Sequence, residues 1–334
     1  MRKYFFWWVW SGLFLGMGQA NAQVVYKVQD FSERYTAEVY LEAPTAIYSP
    51  GWIAVYDKQT GQRLVKVESE NLAANIVDDE VEANIVQQPY GEQSVLIYED
   101  FNFDGEKDLA ISDGNYSCYS GPSYQIYLAR DGGFFQSEDF TRLAQDFCGM
   151  FGVNTQEKTL QTMTKDGCCW HQYSTYTIKE NKPYLIHRVE EGHSFAEPYW
   201  DYTVYQREKD TLVTSSYHVL DKESFVNEDG SFNADLLLYF QFENGKQMFL
   251  FQEQALEKTF YAFTDKQDKI ELLYGGKMDW DENKNAIEFK NKQAVYKLFK
   301  DALQVQVGAK TYVFKPHKIE GSLQRFQKAK VKED

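Results

Sequence analysis

Between Asp100 and Asp108 the chain sets hard oxygen donors at alternate positions: Asp100, Asn102 and Asp104, then Gly105, Glu106 and Asp108. Carboxylates crowded this closely repel one another unless a hard cation neutralises them. Gly105 supplies the sharp turn, Glu106 a backbone carbonyl and Asp108 a last carboxylate. The expected ion is therefore Ca²⁺, held by Asp100, Asn102, Asp104, Glu106 and Asp108. An EF-hand needs Glu at the twelfth position of its loop, and Ile111 stands there. The flanks 95–98 and 109–111 read as strands, so the pattern is that of a calcium loop between strands. The plain alternative is an acidic turn with no ion. Asp279, Asp281 and Asn283 hint at a second such turn, but no Gly or following Asp completes it.

The 4 Cys, Cys118, Cys148, Cys168 and Cys169, are clustered in one part of the chain. An even number in an oxidising compartment reads as two disulfides with three possible connectivities. A bond between sequence neighbours is strained, so each of Cys168 and Cys169 is expected to pair with Cys118 or Cys148. A zinc site is the rival, yet CxxC spacing is absent and His171 is the one His close by.

The segment Asp100 to Ile111, Asp-Phe-Asn-Phe-Asp-Gly-Glu-Lys-Asp-Leu-Ala-Ile, resembles the calcium loop of FG-GAP and VCBS-type propeller repeats. Ser120-Gly121-Pro122-Ser123-Tyr124 matches the S-G-x-x-Y motif of bacterial periplasmic lysozyme inhibitors. With Gly132-Gly133-Phe134 and Gly167-Cys168-Cys169-Trp170-His171, it resembles one family of them, small calcium-bearing, propeller-like inhibitors of vertebrate-type lysozyme. The resemblance covers roughly residues 90–190 and leaves the C-terminal third unmatched. It implies that a loop bearing Ser120, Gly121 and Tyr124 enters the cleft of a basic c-type lysozyme. Physically, a hydroxyl and a phenol on a stiff turn can hydrogen-bond two catalytic carboxylates while the ring fills a sugar subsite. On the residues alone, a plain turn whose Tyr begins a strand is an equal reading.

The elements that would position these groups are β-hairpins. Residues 52–56 and 64–67 flank a turn at Asp57 to Gly61; 173–178 and 184–189 flank Glu180-Asn181-Lys182; and 236–242 and 248–252 flank Asn244-Gly245. One short helix is expected at 140–147. The fold class is all-β, a propeller-like or barrel-like hairpin domain with a calcium loop over 24–220 and a smaller C-terminal β-domain at 225–326. The break falls in the polar segment 221–231.

Arg2 and Lys3, an apolar run at 4–18 and Ala20-Asn21-Ala22 form a cleavable export signal over 1–22, leaving Gln23 as the mature N-terminus. The product is expected in the periplasm or secreted, with no membrane anchor. Aromatic residues make up 16% of the chain, a composition that suits half-buried strands. A net charge of -15 argues against nucleic acid or an anionic membrane surface as the partner and leaves a basic partner open. No HExxH, GxSxG, Walker or dinucleotide motif occurs, the 5 His are scattered, and the chain reads as a non-enzyme. The alternatives are a carbohydrate- or protein-binding β-module and, by fold analogy alone, a metal-dependent hydrolase.

Overall fold

A computed structural model describes residues 24–29, 31–88, 91–193 and 195–330. The export signal and its cleavage point lie outside them. Regular structure is almost entirely β, arranged as five sheets of consecutive, mostly antiparallel neighbours. Sheet one runs from Val25–Val28 to Glu80–Val81, and sheet two from Leu96–Glu99 to Gly133–Gln136. Sheet three runs from Gly152–Asn154 to Thr211–Leu220. Sheet four takes Leu236–Gln241 to Ile270–Tyr274 and is extended by the last strand, Lys318–Gly321. Sheet five spans Asp279–Asp281 to Lys310–Phe314. Each sheet is built mostly from sequence-adjacent strands in meander order, a propeller-like succession, and none closes into a barrel among the described residues.

Side-chain alternation explains the stacking. In Tyr35–Leu41, residues Tyr35, Ala37, Val39 and Leu41 are buried and the intervening ones half-buried, the period of a one-sided strand. Asp108–Gly114 is buried on both faces. Leu109 and Ile111 join the core shared with sheet one, whereas Ala110 joins Tyr124, Ile126 and Leu128 in the core shared with sheet three. Sheet two is thus the middle layer, and the acidic loop joins its edge strand, Leu96–Glu99, to the neighbouring Asp108–Gly114. The helix Glu138–Leu143 overlaps the expected 140–147 only at 140–143, starting two residues earlier and ending at Leu143, and adds Phe140 and Leu143 to that second core.

The hairpin turns fall where the sequence puts them. Glu180 and Asn181 both have positive φ, 53° and 58°, as a two-residue turn matched to strand twist requires. Sheets four and five close a further core around Phe240, Leu250, Tyr261 and Ile287, capped by Leu323 and Phe326 of the C-terminal helix Leu323–Lys330. The polar segment near 221–231 does separate the sheets in sequence. It does not separate them in space: Leu220 packs with Phe225, Phe249 and Phe251, and its N–H donates to Asp268 O at 3.0 Å.

Candidate functional site

The acidic loop joins Leu96–Glu99 to Asp108–Gly114, whose register pairs Glu99 with Asp108. Its side chains curl the backbone. Asp100 Oδ1 accepts from Asp104 N at 3.1 Å and Oδ2 from Gly105 N at 2.9 Å. Asn102 Oδ1 accepts from Asp104 N at 3.2 Å, and Asp104 Oδ1 from Glu106 N at 2.8 Å. Gly105 sits at φ 96°, a conformation that favours glycine. Asp108 is fully buried, and its two oxygens accept from Phe101 N and Ala129 N, both at 2.8 Å. Burial, opposed by those two amides and reinforced by Asp104 and Asp100, pushes its carboxyl up to about 7.

Among the described residues, no group of three or more His, Cys, Asp or Glu converges as a metal cluster. The candidate donors are of the chemical type that Ca²⁺ takes, although their carboxylates do not converge. Every candidate is a hard oxygen, and each carboxylate oxygen engaged by one amide keeps a second lone pair. Asn102 Nδ2 ties the loop to sheet three through Asn181 Oδ1 at 2.9 Å. An ordered loop would therefore brace two layers.

The S-G-x-x-Y segment divides into an exposed half and a buried half. Ser120 is exposed at the tip of the short turn Cys118–Ser120. Gly121 N donates to Cys118 O at 3.0 Å, and a Cβ on Gly121 would lie 2.9 Å from the Ser117 hydroxyl and 3.1 Å from Cys118 O, so a side chain there would have to displace Ser117 Oγ. Tyr124 contradicts its expected role as the partner-binding anchor. Its ring is fully buried, and its hydroxyl donates to Ser94 O at 3.0 Å. The reason is strand phase: in Ser123–Arg130, Tyr124 shares a face with Ile126 and Leu128, and that face is core. Burial pushes its phenol well above the ordinary value.

The aromatic group presented on this turn is Tyr119, 63% exposed; Tyr116, three residues earlier, is 60% exposed. Tyr119 and Ser120 are consecutive non-glycine residues with positive φ, 54° and 58°. Such a conformation persists only where surrounding structure enforces it. Gly167 N donates to Tyr119 Oη at 2.6 Å, Lys165 Nζ lies 4.7 Å from the ring centroid, and Gly149 N donates to Ser117 Oγ at 3.2 Å. The only signal for Tyr119 in the sequence was its place between Cys118 and Ser120, and the motif directed attention four residues past Ser120 instead.

The disulfides depart from the expected pairing. Cys118 bonds Cys148, with Cα atoms 4.8 Å apart, and Cys168 bonds its neighbour Cys169. The expectation that neighbours avoid each other fails because Cys118 and Cys148 already meet beside the loop, leaving the two turn cysteines only each other. A 30-residue separation gives the first bond roughly 3 to 4 kcal/mol in the chain-entropy model. The second closes almost no chain, so its effect is on the local shape of the turn between Thr159–Asp166 and Trp170–Lys179.

The five His do not gather. His171 Nδ1 lies 3.3 Å from Glu191 Oε1, His193 Nε2 3.1 Å from Asp221 Oδ2 and His218 Nδ1 2.6 Å from Asp201 Oδ1, three separate pairs. Asp281 is engaged by Lys284 at 2.7 Å, which fits the ordinary-turn reading of 279–283.

No protein-family model matches the chain, and no curated protein matches it in sequence. Among solved structures it is similar to a Xanthomonas type IV secretion system related protein, at 18% identity and TM-score 0.45, covering 59% of this chain and 96% of that one. It is also similar to the β-propeller domain of the Trilobed protease from Pyrococcus furiosus, at 10% identity and TM-score 0.25, covering 89% and 97%. At these scores neither likeness bears on the site. Among the described residues no helix is long and apolar enough to cross a membrane.

Proposed function

We propose that this chain is an exported, calcium-stabilised inhibitor of basic c-type lysozyme, acting by contact and not by catalysis. The observation that carries the reading is the turn at 116–121, where Tyr119 and Ser120 are held outward in a conformation unfavourable for their types. Pre-organisation of this kind reduces the ordering cost of binding. Ser120 offers a hydroxyl to the carboxylates of a muramidase cleft and Tyr119 offers the ring for a sugar subsite. Tyr124 supports the loop from the core. Ca²⁺ bound by Asp100, Asn102, Asp104, the Glu106 carbonyl and Asp108 would stiffen the layer from which the loop arises.

Charge supports the same partner. At -15 overall, and two units more negative once Arg2 and Lys3 are removed, the protein attracts a cationic enzyme at long range. A muramidase assay with parent protein, Tyr119→Ala and Ser120→Ala tests the proposal. Inhibition by the parent that is lost in both variants supports it, and inhibition unaffected by either variant rejects the loop.

A further inference from the structure

The turn that holds Tyr119 through Gly167 continues into Cys168 and Cys169, which line a separate cavity of ≈ 390 Å³. Three rings form its aromatic wall. His193 and Trp200 have centroids 4.9 Å apart at 49°, and His193 and Phe195 are 5.2 Å apart at 73°. Phe195 is 73% exposed, a large apolar ring left facing water. Glu197, Glu223 and Glu253 line the same cavity, and none has an ion-pair partner among the described residues. Asp221 is the one lining carboxylate with a basic neighbour, His193. Ser224 Oγ is buried at this site without a hydrogen-bond partner among the described residues.

Aromatic faces beside unneutralised carboxylates select an organic cation. An anion is repelled, and a neutral sugar gains no attraction from the carboxylates. The uncharged disulfide supplies a rigid apolar patch on which an aliphatic stem can lie. A guanidinium suits the rest best, because its plane stacks on indole and its donors fork to carboxylates. The geometry points to a guanidinium-binding pocket, occupied by an arginine side chain of the basic protein that the neighbouring Tyr119 loop engages. Only the identity of that protein rests on the proposed inhibitor function; the pocket's preference for a guanidinium does not.

The test titrates N-acetyl-arginine amide into the folded, disulfide-intact protein at low salt, followed by NMR and calorimetry, with no muramidase present. Saturable binding with a Kd on the order of 1 mM is expected. It should weaken with salt, and by about tenfold in Trp200→Ala and in the double variant Glu223→Gln, Glu253→Gln. Should Trp200→Ala fail to fold, the double variant, which removes charge and keeps shape, carries the comparison. Absence of saturable binding, binding unchanged in the variants, or tighter binding of N-acetylglucosamine at the same residues would overturn the inference. Amide binding with undiminished muramidase activity defeats the inhibitor reading and leaves the pocket. Inhibition without amide binding does the reverse.

Discussion

The backbone N–H of Gly167 donates to the phenol oxygen of Tyr119 at 2.6 Å, joining the exposed 116–121 turn to the turn closed by the Cys168–Cys169 bond. Two surface loops far apart in sequence thereby share one position. Cys118–Cys148 fixes the first turn at its base. Whatever touches Tyr119 is therefore sensitive to the second turn as well.

Tyr119 is expected to behave as an interface residue and Tyr124 as a core residue. Tyr119→Ala should leave the melting temperature nearly unchanged and lose roughly 2 to 4 kcal/mol of partner binding, read as faster dissociation. Tyr124→Ala should destabilise by about 3 to 5 kcal/mol through the cavity it leaves. Tyr124→Phe, which loses only the hydrogen bond to Ser94, should cost about 1 kcal/mol and keep inhibition. Denaturant titration and surface-plasmon kinetics on the same variants separate the two roles.

That distinction shows how far the sequence could be read. The S-G-x-x-Y spacing points to Tyr124, which is a core residue, whereas the tyrosine exposed on the adjoining turn is Tyr119. Tyr124, Ile126 and Leu128 alternate in phase, so period-two reasoning alone would have assigned Tyr124 to the core. The hairpins at 57–61 and 180–182 were legible because their turn residues demand particular backbone geometry. The cavity by the Cys168–Cys169 turn was not, since it brings together Cys168, His193, Trp200, Asp221 and Glu253. Only tertiary packing relates such distant segments. The cysteine pairing escaped for the same reason: which thiols meet is decided by the fold of the chain between them.

Calcium should raise the melting temperature of the disulfide-intact protein, and chelator should lower it, because an ion bound only by the native state stabilises by mass action. Asp104→Ala should abolish the calcium-dependent difference. Differential scanning fluorimetry with and without chelator measures it, and identical curves for the parent would contradict the site.

Peptide mapping of unreduced protein should yield one linked pair from Cys118 and Cys148 and a single peptide carrying Cys168 and Cys169 two mass units below its reduced form. The double variant Cys118→Ser, Cys148→Ser should lose roughly 3 to 4 kcal/mol of stability. The corresponding pair at 168 and 169 should lose far less globally and should weaken partner binding through Tyr119.

Acid should remove the contribution of Asp57. Its carboxyl accepts from Thr60 N at 2.9 Å and Gln59 N at 3.0 Å, with Arg34 Nε 3.4 Å away. Thr60 chiefly holds its pKa below the ordinary 3.8. A depressed carboxyl contributes stability that is present above the unfolded pKa and lost as pH falls through the folded one. The stability gap between parent and Asp57→Asn should thus be full at neutral pH and close as urea titrations are taken down to about pH 2.

The central claim is tested most directly by muramidase activity of a basic c-type lysozyme at low salt, in the presence of micromolar excess of the calcium-loaded, disulfide-intact protein. Activity should fall to background and return when Tyr119→Ala replaces the parent. Full activity in the presence of the folded parent would contradict the account.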